Sequence, residues 1–144
     1  MRLRYATVTL ALLSAVGVIT AVYGHGDVAP QPVDTTGLDK LGDGWREENP
    51  YRLSGGDQYQ LAIKIGTSGY SQNCARCHGL EVISGGIAPD LRYLETGIDG
   101  DKWFINRIRH GYSQDGAYKM PPFEGVLSQE AMWAIRSYVE TRPE

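Results

Sequence analysis

Cys74-Ala75-Arg76-Cys77-His78 is the stretch that decides the fold of this chain, and its two thiols are the only cysteines among 144 residues. Two thiols three positions apart, followed directly by a histidine, form the pattern to which a c-type haem is attached. Each thiol adds across one vinyl group of the porphyrin, and the adjacent imidazole reaches the iron as an axial ligand. We therefore predict one covalent haem c on Cys74 and Cys77, with His78 as an iron ligand.

Other uses of a CxxC pair fit this sequence poorly. A zinc site needs a second pair of Cys or His ligands, and only His25 and His110 remain, far apart in the sequence. A redox-active dithiol requires a βαβ pattern that is absent here. A structural disulfide across two intervening residues is strained and leaves His78 without a purpose.

Residues 1–24 have the features of a secretory signal peptide. Arg2 and Arg4 form a basic start, an apolar run follows, and the small residue Gly24 precedes His25. Because c-type haem is attached outside the cytoplasm, we expect cleavage near Gly24/His25 and a periplasmic protein. An uncleaved membrane anchor is the alternative, since about 17 apolar residues approach the length that spans a bilayer.

The charge balance excludes some partners. Arg2 and Arg4 leave with the leader, which lowers the formal charge from −3 to −5. A net acidic chain is a poor partner for nucleic acid or anionic lipid. The 120 residues after the leader suffice for one domain with one core, and we expect a soluble monomer.

Residues 25–56 are predicted to form an irregular extension, and residues 57–144 the folded domain. Prolines and glycines interrupt every helical or strand period in the extension. Its apolar content is nevertheless too high for a disordered tail, so we expect it to pack on the domain. The apolar and aromatic residues concerned are Leu38, Leu41, Trp45, Tyr51 and Leu53.

Three amphipathic segments predict an all-α domain. The first helix spans residues 57–73, with Asp57 as the residue expected to cap its first turn, and the second spans residues 101–109. The third begins after the N-cap residue Ser128 and ends before Pro143. A short helical turn is expected within residues 89–96, and no alternating pattern predicts a strand.

Met120 is the predicted second iron ligand. It precedes Pro121-Pro122-Phe123 in a loop, and prolines fix the backbone so that the thioether is presented at one place. Met132 lies on the apolar side of the last helix, where a core role is expected. His110, at a helix end, is the alternative ligand.

Residues 57–142 resemble the class I cytochrome c family. In that family, glycine and an aromatic residue precede the haem motif at four-residue steps, as Gly66 and Tyr70 precede Cys74. An aromatic residue of the last helix packs against that glycine, and Tyr138 matches it, with Trp133 as the second candidate. The resemblance implies a fold in which the N- and C-terminal helices cross around the haem.

The same resemblance assigns further site residues. Pro89, in Ala88-Pro89-Asp90-Leu91, matches the proline whose carbonyl accepts the imidazole proton and so fixes its tautomer. Met120-Pro121 matches the distal-ligand loop of the family. The expected haem pocket includes Tyr70, Ile87, Leu91 and Phe123, and Trp103, Arg107 and Tyr112 are candidates for propionate binding.

Motifs along nearly the whole chain after the leader also resemble the PedF-type periplasmic cytochromes c. In that group the cytochrome accepts electrons from alcohol dehydrogenases that depend on pyrroloquinoline quinone (PQQ). The matching motifs are His25-Gly26-Asp27-Val28, Trp45-Arg46-Glu47-Glu48-Asn49-Pro50-Tyr51-Arg52, Asn73-Cys74-Ala75-Arg76-Cys77-His78-Gly79-Leu80-Glu81, Ser84-Gly85-Gly86-Ile87-Ala88-Pro89-Asp90-Leu91 and Met120-Pro121-Pro122-Phe123-Glu124-Gly125-Val126.

An electron carrier rather than an enzyme is the predicted function. With His78 and Met120 both on the iron, no coordination position is open to oxygen, peroxide or nitrite. Single electrons are expected to come from a PQQ-dependent alcohol dehydrogenase and to pass to a terminal oxidase or another cytochrome. The alternatives are a haem enzyme or gas sensor with an open sixth position, and a permanent haem subunit of a dehydrogenase complex.

Overall fold

The structure is a computed structural model that describes residues 29–142. The expected leader, its cleavage point and His25 lie outside the described residues. Helices dominate the described part and one short hairpin is added to them, which confirms the all-α class. The elements are α1 (Pro50–Ser54), α2 (Gly56–Asn73), α3 (Ala75–His78), α4 (Ile98–His110), β1 (Tyr112–Gln114), β2 (Ala117–Met120) and α5 (Gln129–Val139), with 3-10 turns at Leu80–Val82 and Leu91–Tyr93.

The crossing of α2 and α5 is the centre of the fold, as the sequence predicted. At Gly66 the two backbones approach so closely that a Cβ atom there would lie 1.9 Å from the carbonyl oxygen of Ala134. At Gly69 a Cβ atom would lie 3.1 Å from the side chain of Ile135, which is tight but involves no backbone atom among its nearest neighbours. The two glycines therefore allow the approach, and the burial of every residue of α5 follows from it.

The hydrophobic core surrounds this crossing. Met132 is completely buried in it, which confirms its predicted core role. The ring of Tyr138 packs on that of Tyr70, four residues after Gly66 in α2, with centroids 5.3 Å apart. Trp133, the second candidate, packs on Phe104 at 6.4 Å.

Most helix boundaries follow the predicted signals, but Asp57 does not cap α2, because that helix begins at Gly56 after the N-cap Gly55 and has no side-chain cap. Ser128 caps α5, since its hydroxyl accepts a hydrogen bond from the amide of Ala131 at 3.2 Å. Helix α4 begins at Ile98, three residues earlier than predicted, because Gly97 adopts a φ of 84° and turns the chain directly into the helix. The predicted helical turn within 89–96 is the 3-10 turn Leu91–Tyr93.

The hairpin β1–β2 corrects the expectation that the domain contains no strand. Gln114 pairs with Ala117, so the connecting loop is Asp115-Gly116. Both loop residues have positive φ, 52° and 76°, which is the geometry of the two-residue turn that Asp-Gly favours. The strands are exposed along almost their whole length, so no apolar alternation marks them in the sequence.

The segment before α2 lies against the helices. Leu38 and Leu41 are buried in the core, and the amide of Leu41 donates to the carboxylate of Glu130 at 3.1 Å. The expectation of an irregular chain up to residue 56 is wrong for α1. Asn49 caps that short helix by accepting from the amide of Tyr51 at 3.2 Å, and Pro50 takes the first helical position.

A buried ion network joins this segment to α4 and α5. The carboxylate of Asp101 is fully buried and accepts from the backbone amide of Asn49 at 2.9 Å, from Arg52 at 2.6 Å and from Arg136 at 2.8 Å. Arg52 and Arg136 both also pair with Glu140. Burial alone would raise the pKa of Asp101, but the hydrogen bonds from the two arginines outweigh it and lower that pKa. The network therefore holds a charged carboxylate inside the protein.

Within residues 29–142, no helix is both long enough and apolar enough to cross a membrane.

Candidate haem site

The CxxCH motif lies where α2 ends. Cys74 is the C-cap of α2, and its carbonyl accepts from the amides of Cys77 at 3.1 Å and His78 at 2.9 Å, which winds the motif into α3. Cys74 is buried and Cys77 is partly exposed, and the two thiols are not joined to each other. Burial, and secondly the neighbouring Cys77, raise the pKa of the Cys74 thiol to about 12. Cys74 is therefore a neutral thiol across the physiological pH range.

The imidazole of His78 is oriented by a backbone carbonyl. Its Nδ1 lies 2.8 Å from the oxygen of Pro89. A carbonyl accepts only, so Nδ1 carries the proton and Nε2 carries the free lone pair. Burial lowers the pKa of His78, against a smaller upward effect of the Pro89 hydrogen bond, so the ring is neutral at neutral pH. This is the tautomer that a metal-bound imidazole needs.

The loop that supplies the Pro89 carbonyl is held by its own polar groups. The carboxylate of Asp90 accepts from the side chain of Arg92 at 3.0 and 2.8 Å and from the amide of Ser84 at 3.3 Å. The hydroxyl of Ser84 donates to the carbonyl of Ala88 at 2.5 Å. The hydrogen bonds that Asp90 accepts, chiefly those from the side chain of Arg92, lower the pKa of its carboxyl group. Ser84 and Asp90 thus position Pro89, a role that their sequence did not reveal.

A strained turn directs the chain from His78 toward that loop. Gly79 has a φ of 86°, and a Cβ atom there would lie 1.8 Å from the carbonyl oxygen of Ile83. Glu81 and Val82 also have positive φ, 56° and 68°, which is unusual for a β-branched residue. Val82 is completely buried, so its side-chain packing offsets the backbone strain.

Met120 is the last residue of β2 and is positioned from several sides. It pairs with Tyr112 across the hairpin, and its side chain packs partly buried against the hydrophobic core. Gly111, which ends α4, lies so close that a Cβ atom there would be 2.4 Å from the Met120 carbonyl oxygen. After the two prolines, the amide of Phe123 donates to the carbonyl of Ile108 at 3.0 Å. The end of α4 therefore holds the backbone from Met120 to Phe123.

His110, the alternative ligand, is engaged at the surface. Its Nδ1 lies 3.0 Å from the carbonyl oxygen of Asn106, and its Nε2 lies 3.7 Å from the carboxylate of Glu124. Its side chain is 54% exposed. Both ring nitrogens thus face polar protein atoms.

The predicted pocket residues divide into two groups. Tyr70 and Phe123 are buried by protein atoms, and the hydroxyl of Tyr70 donates to the carbonyl of Gly79 at 2.9 Å, directly after the CxxCH motif. Ile87 is 79% exposed and Leu91 is partly buried. Ile87 and Leu91 therefore leave apolar surface exposed that a haem would cover.

Arg107, in the last turn of α4, lies close to two aromatic rings. Its guanidinium lies 5.2 Å from the ring centroid of Trp103 and 4.9 Å from that of Tyr112. Both rings are nearly half exposed. Such a clamp holds a cation in a fixed orientation and suits it to bind a carboxylate.

The residues present fit a covalent haem. Two thiols and an imidazole with a free Nε2 lie together at the end of α2. In the sequence, most of the large apolar side chains that are exposed among residues 29–142 come between this motif and Met120. A bound haem would give such side chains an apolar surface to pack on. Among residues 29–142, no group of three His, Cys, Asp or Glu side chains is arranged to bind a metal ion. The exposed residues concerned are Leu80, Ile83, Ile87, Tyr93, Ile98, Trp103, Tyr112 and Tyr118.

Comparison with known proteins gives the same assignment. The family model described as cytochrome c oxidase, cbb3-type, subunit III matches residues 61–139. The chain is 54% identical over 132 residues to cytochrome c550 of Pseudomonas aeruginosa, which covers 92% of this chain and 90% of that protein. No solved structure matches the chain significantly.

Two further relatives match a shorter part of the chain. Quinohemoprotein alcohol dehydrogenase ADH-IIG of Pseudomonas putida is 32% identical over 81 residues, which are 56% of this chain but only 11% of that enzyme. Cytochrome c6 of Euglena gracilis is 32% identical over 79 residues, which are 54% of this chain and 88% of that protein. The chain therefore belongs to the cytochrome c family and is a mono-haem c-type electron carrier, not an enzyme, with its haem c bound covalently.

Proposed function

We propose that Cys74 and Cys77 hold the haem and that His78 and Met120 are its axial ligands. The observation that carries this assignment is the hydrogen bond from Nδ1 of His78 to the carbonyl of Pro89, because it leaves Nε2 free in the orientation an iron ligand requires. The contacts by which the end of α4 holds the backbone of residues 120–123 support Met120 as the second ligand. When bound, haem c supplies an iron that takes up and releases one electron.

The chain's own residues would set the properties of that carrier. A thioether is a soft ligand that favours ferrous iron, so the pair of His78 and Met120 raises the reduction potential. With both positions taken, small molecules cannot coordinate. Arg107, between Trp103 and Tyr112, would bind a propionate, and its fixed guanidinium would limit reorganisation when the charge on the iron changes.

Replacing Met120 tests the ligand assignment. In Met120→Ala the ferric protein should lose its iron–sulfur charge-transfer band, the potential should fall, and the reduced protein should bind carbon monoxide. Met132→Leu is the matched control, since Met132 is buried in the core. That variant should keep the band, and an unchanged potential in Met120→Ala would refute the assignment.

We further propose that the electron donor is a PQQ-dependent alcohol dehydrogenase and that the acceptor is a terminal oxidase or another cytochrome. The support is the quinohemoprotein alcohol dehydrogenase, in which a segment similar to this chain makes up about a tenth of the enzyme. A segment similar to this chain is thus part of the same polypeptide as an alcohol dehydrogenase. Stopped-flow mixing of the ferric protein with candidate quinoprotein dehydrogenases plus alcohol tests the donor, and no reduction by any of them would remove it.

We propose that the protein works as a monomer in the periplasm. Attachment of haem c outside the cytoplasm and the signal-like residues 1–24 support this location. Cell fractionation and N-terminal sequencing of the purified protein check it, with His25 or a close neighbour expected as the first residue.

A permanent subunit of a larger complex is the second candidate, because the matching family is described as an oxidase subunit. The match to cytochrome c550 over 90% of that protein's length favours a free carrier. Gel filtration of the protein from its native source separates the two. A carrier elutes as a monomer, and a permanent subunit elutes with its complex.

A further inference from the structure

Three residues from distant parts of the chain form a stack at the segment of residues 120–124, which we call the Met120 loop. The guanidinium of Arg109, at the end of α4, lies 3.9 Å from the ring centroid of Trp45. The same guanidinium donates two hydrogen bonds to the carboxylate of Glu124, both at 3.1 Å. A planar guanidinium can stack on a ring and bind a carboxylate with both edges at once, which lysine cannot do. We call this group the Trp45–Arg109–Glu124 stack.

Trp45 is fixed in place by its two chain neighbours. The amide of Arg46 donates to the side-chain oxygen of Gln129 at 2.7 Å, and the side-chain amide of Gln129 donates to the carbonyl of Gly44 at 3.1 Å. Gln129 is buried at the start of α5. The ring of Trp45 is therefore presented to Arg109 from a backbone that is anchored to the core.

Glu124 connects the stack to the loop that carries Met120. Its backbone amide donates to the carbonyl of Arg109 at 3.3 Å, in addition to the side-chain pair. The amide of Phe123 donates to the carbonyl of Ile108 at 3.0 Å. Two prolines with fixed φ occupy the positions between Phe123 and Met120, so displacement of Glu124 is passed on to the methionine rather than absorbed.

We propose that the Trp45–Arg109–Glu124 stack is a positioning device that keeps the Met120 loop closed, so that the thioether is not displaced from the iron by added ligands. The inference rests on the proposed function, in which Met120 is an iron ligand. It also assigns a role to the segment before α2, since that segment supplies Trp45. Trp45, Arg109 and Glu124 touch no reacting atom and act only through the position of Met120.

Binding of imidazole to the ferric protein measures how easily the loop opens. Imidazole replaces the thioether only in the open form, so its affinity rises in proportion to the fraction of open loop. Loss of the cation–π contact in Trp45→Ala should tighten imidazole binding about 3- to 10-fold. Glu124→Gln removes a largely exposed ion pair and should tighten it about 2- to 5-fold. Because both variants act through Arg109, the double variant should show less than the product of the two effects.

Two controls separate positioning from general stability. Glu47→Gln breaks an exposed pair with Lys102 at 3.1 Å, only two residues from Trp45 but not linked to the loop. Leu38→Ala removes a buried side chain of the same segment, seven residues before Trp45, and should lower the free energy of unfolding. Both should bind imidazole within about 1.5-fold of the unchanged protein.

The outcomes distinguish this inference from the ligand assignment on which it rests. If the unchanged ferric protein lacks the iron–sulfur charge-transfer band, Met120 is not the ligand and both are overturned. If the band is present but Trp45→Ala and Glu124→Gln leave imidazole affinity unchanged, only the positioning role fails. An equal gain in Leu38→Ala would also overturn it, because the effect would then follow stability alone.

Discussion

Replacing Gly66 with alanine tests the close crossing of α2 and α5 directly. The added Cβ would lie 1.9 Å from the carbonyl oxygen of Ala134 and 2.5 Å from its carbonyl carbon. Both atoms belong to the backbone of a fully buried helix, so neither can rotate away. Since Cβ contacts below 3.0 Å essentially never occur, the helices must separate by at least about 1 Å.

The size of the effect follows from two opposing contributions. Overpacking of this kind costs about 3 kcal/mol when backbone must move, since a gap of about 1 Å also weakens dispersion contacts along the interface. Alanine recovers about 1 kcal/mol of helix propensity relative to glycine. We therefore expect Gly66→Ala to lower the free energy of unfolding by about 2 kcal/mol.

Gly69→Ala is the matched control in the same helix. Its added Cβ would meet only the side chains of Ile135 and Val33, at 3.1 to 3.3 Å, and these can adjust. The variant should therefore lie within about 1 kcal/mol of the unchanged protein. Guanidinium unfolding of the haem-loaded proteins, followed by far-ultraviolet circular dichroism, compares the three. The reasoning is refuted if Gly66→Ala is as stable as the unchanged protein, or if both glycine variants lose the same amount.

Three further predictions concern buried polar groups. Asp101→Asn leaves Arg52 and Arg136 with only one of their two shared carboxylates, that of Glu140, and denaturant unfolding at neutral pH should show a loss of about 3 kcal/mol. Because the pKa of Asp101 is lowered on folding, its contribution is present above its ordinary pKa and is lost as pH falls, so the gap between Asp101→Asn and the unchanged protein should narrow below about pH 4. A gap that stays constant down to pH 3 would contradict the lowered pKa. Tyr70→Phe removes the bond to the Gly79 carbonyl and should cost about 1 kcal/mol in the same assay, whereas an unchanged stability would mean that water replaces the hydroxyl.

Local signals in the sequence predicted the helical framework well. The apolar spacing of residues 57–73 and the N-cap residue Ser128 depend only on neighbours within one or two turns, and both helices begin within one residue of the prediction. The close approach at Gly66 was also predictable, because glycine inside a helix is costly unless another backbone needs the space. The CxxCH motif is local in the same sense.

The hairpin β1–β2 shows where local pattern was insufficient. Asp115-Gly116 is a strong turn signal, but exposed strands carry no apolar alternation to accompany it. The pairing matters for the site, because it fixes the position of Met120. The turn dipeptide was the one signal of the hairpin in the sequence.

Contacts between distant residues had no signal in a single sequence. Asp101 and Arg136 lie 35 positions apart, and Trp45 lies 64 positions before Arg109. Arginine and carboxylate side chains are normally exposed, so their types predicted surface positions. Only the packed fold brings them together, and for this reason the role of the segment before α2 could not be derived from its motifs.

The buried network around Asp101 limits which substitutions this protein can accept during evolution. Its members come from the segment before α2, from α4 and from α5, and each charge inside the protein is neutralised by groups from the other segments. Loss of any one member strands a charge that the others were compensating, so single substitutions here should be eliminated and only concerted ones retained. The segment and the helices should therefore be inherited as one block. The similarity to cytochrome c550, which spans 132 of the 144 residues, necessarily includes most of that block.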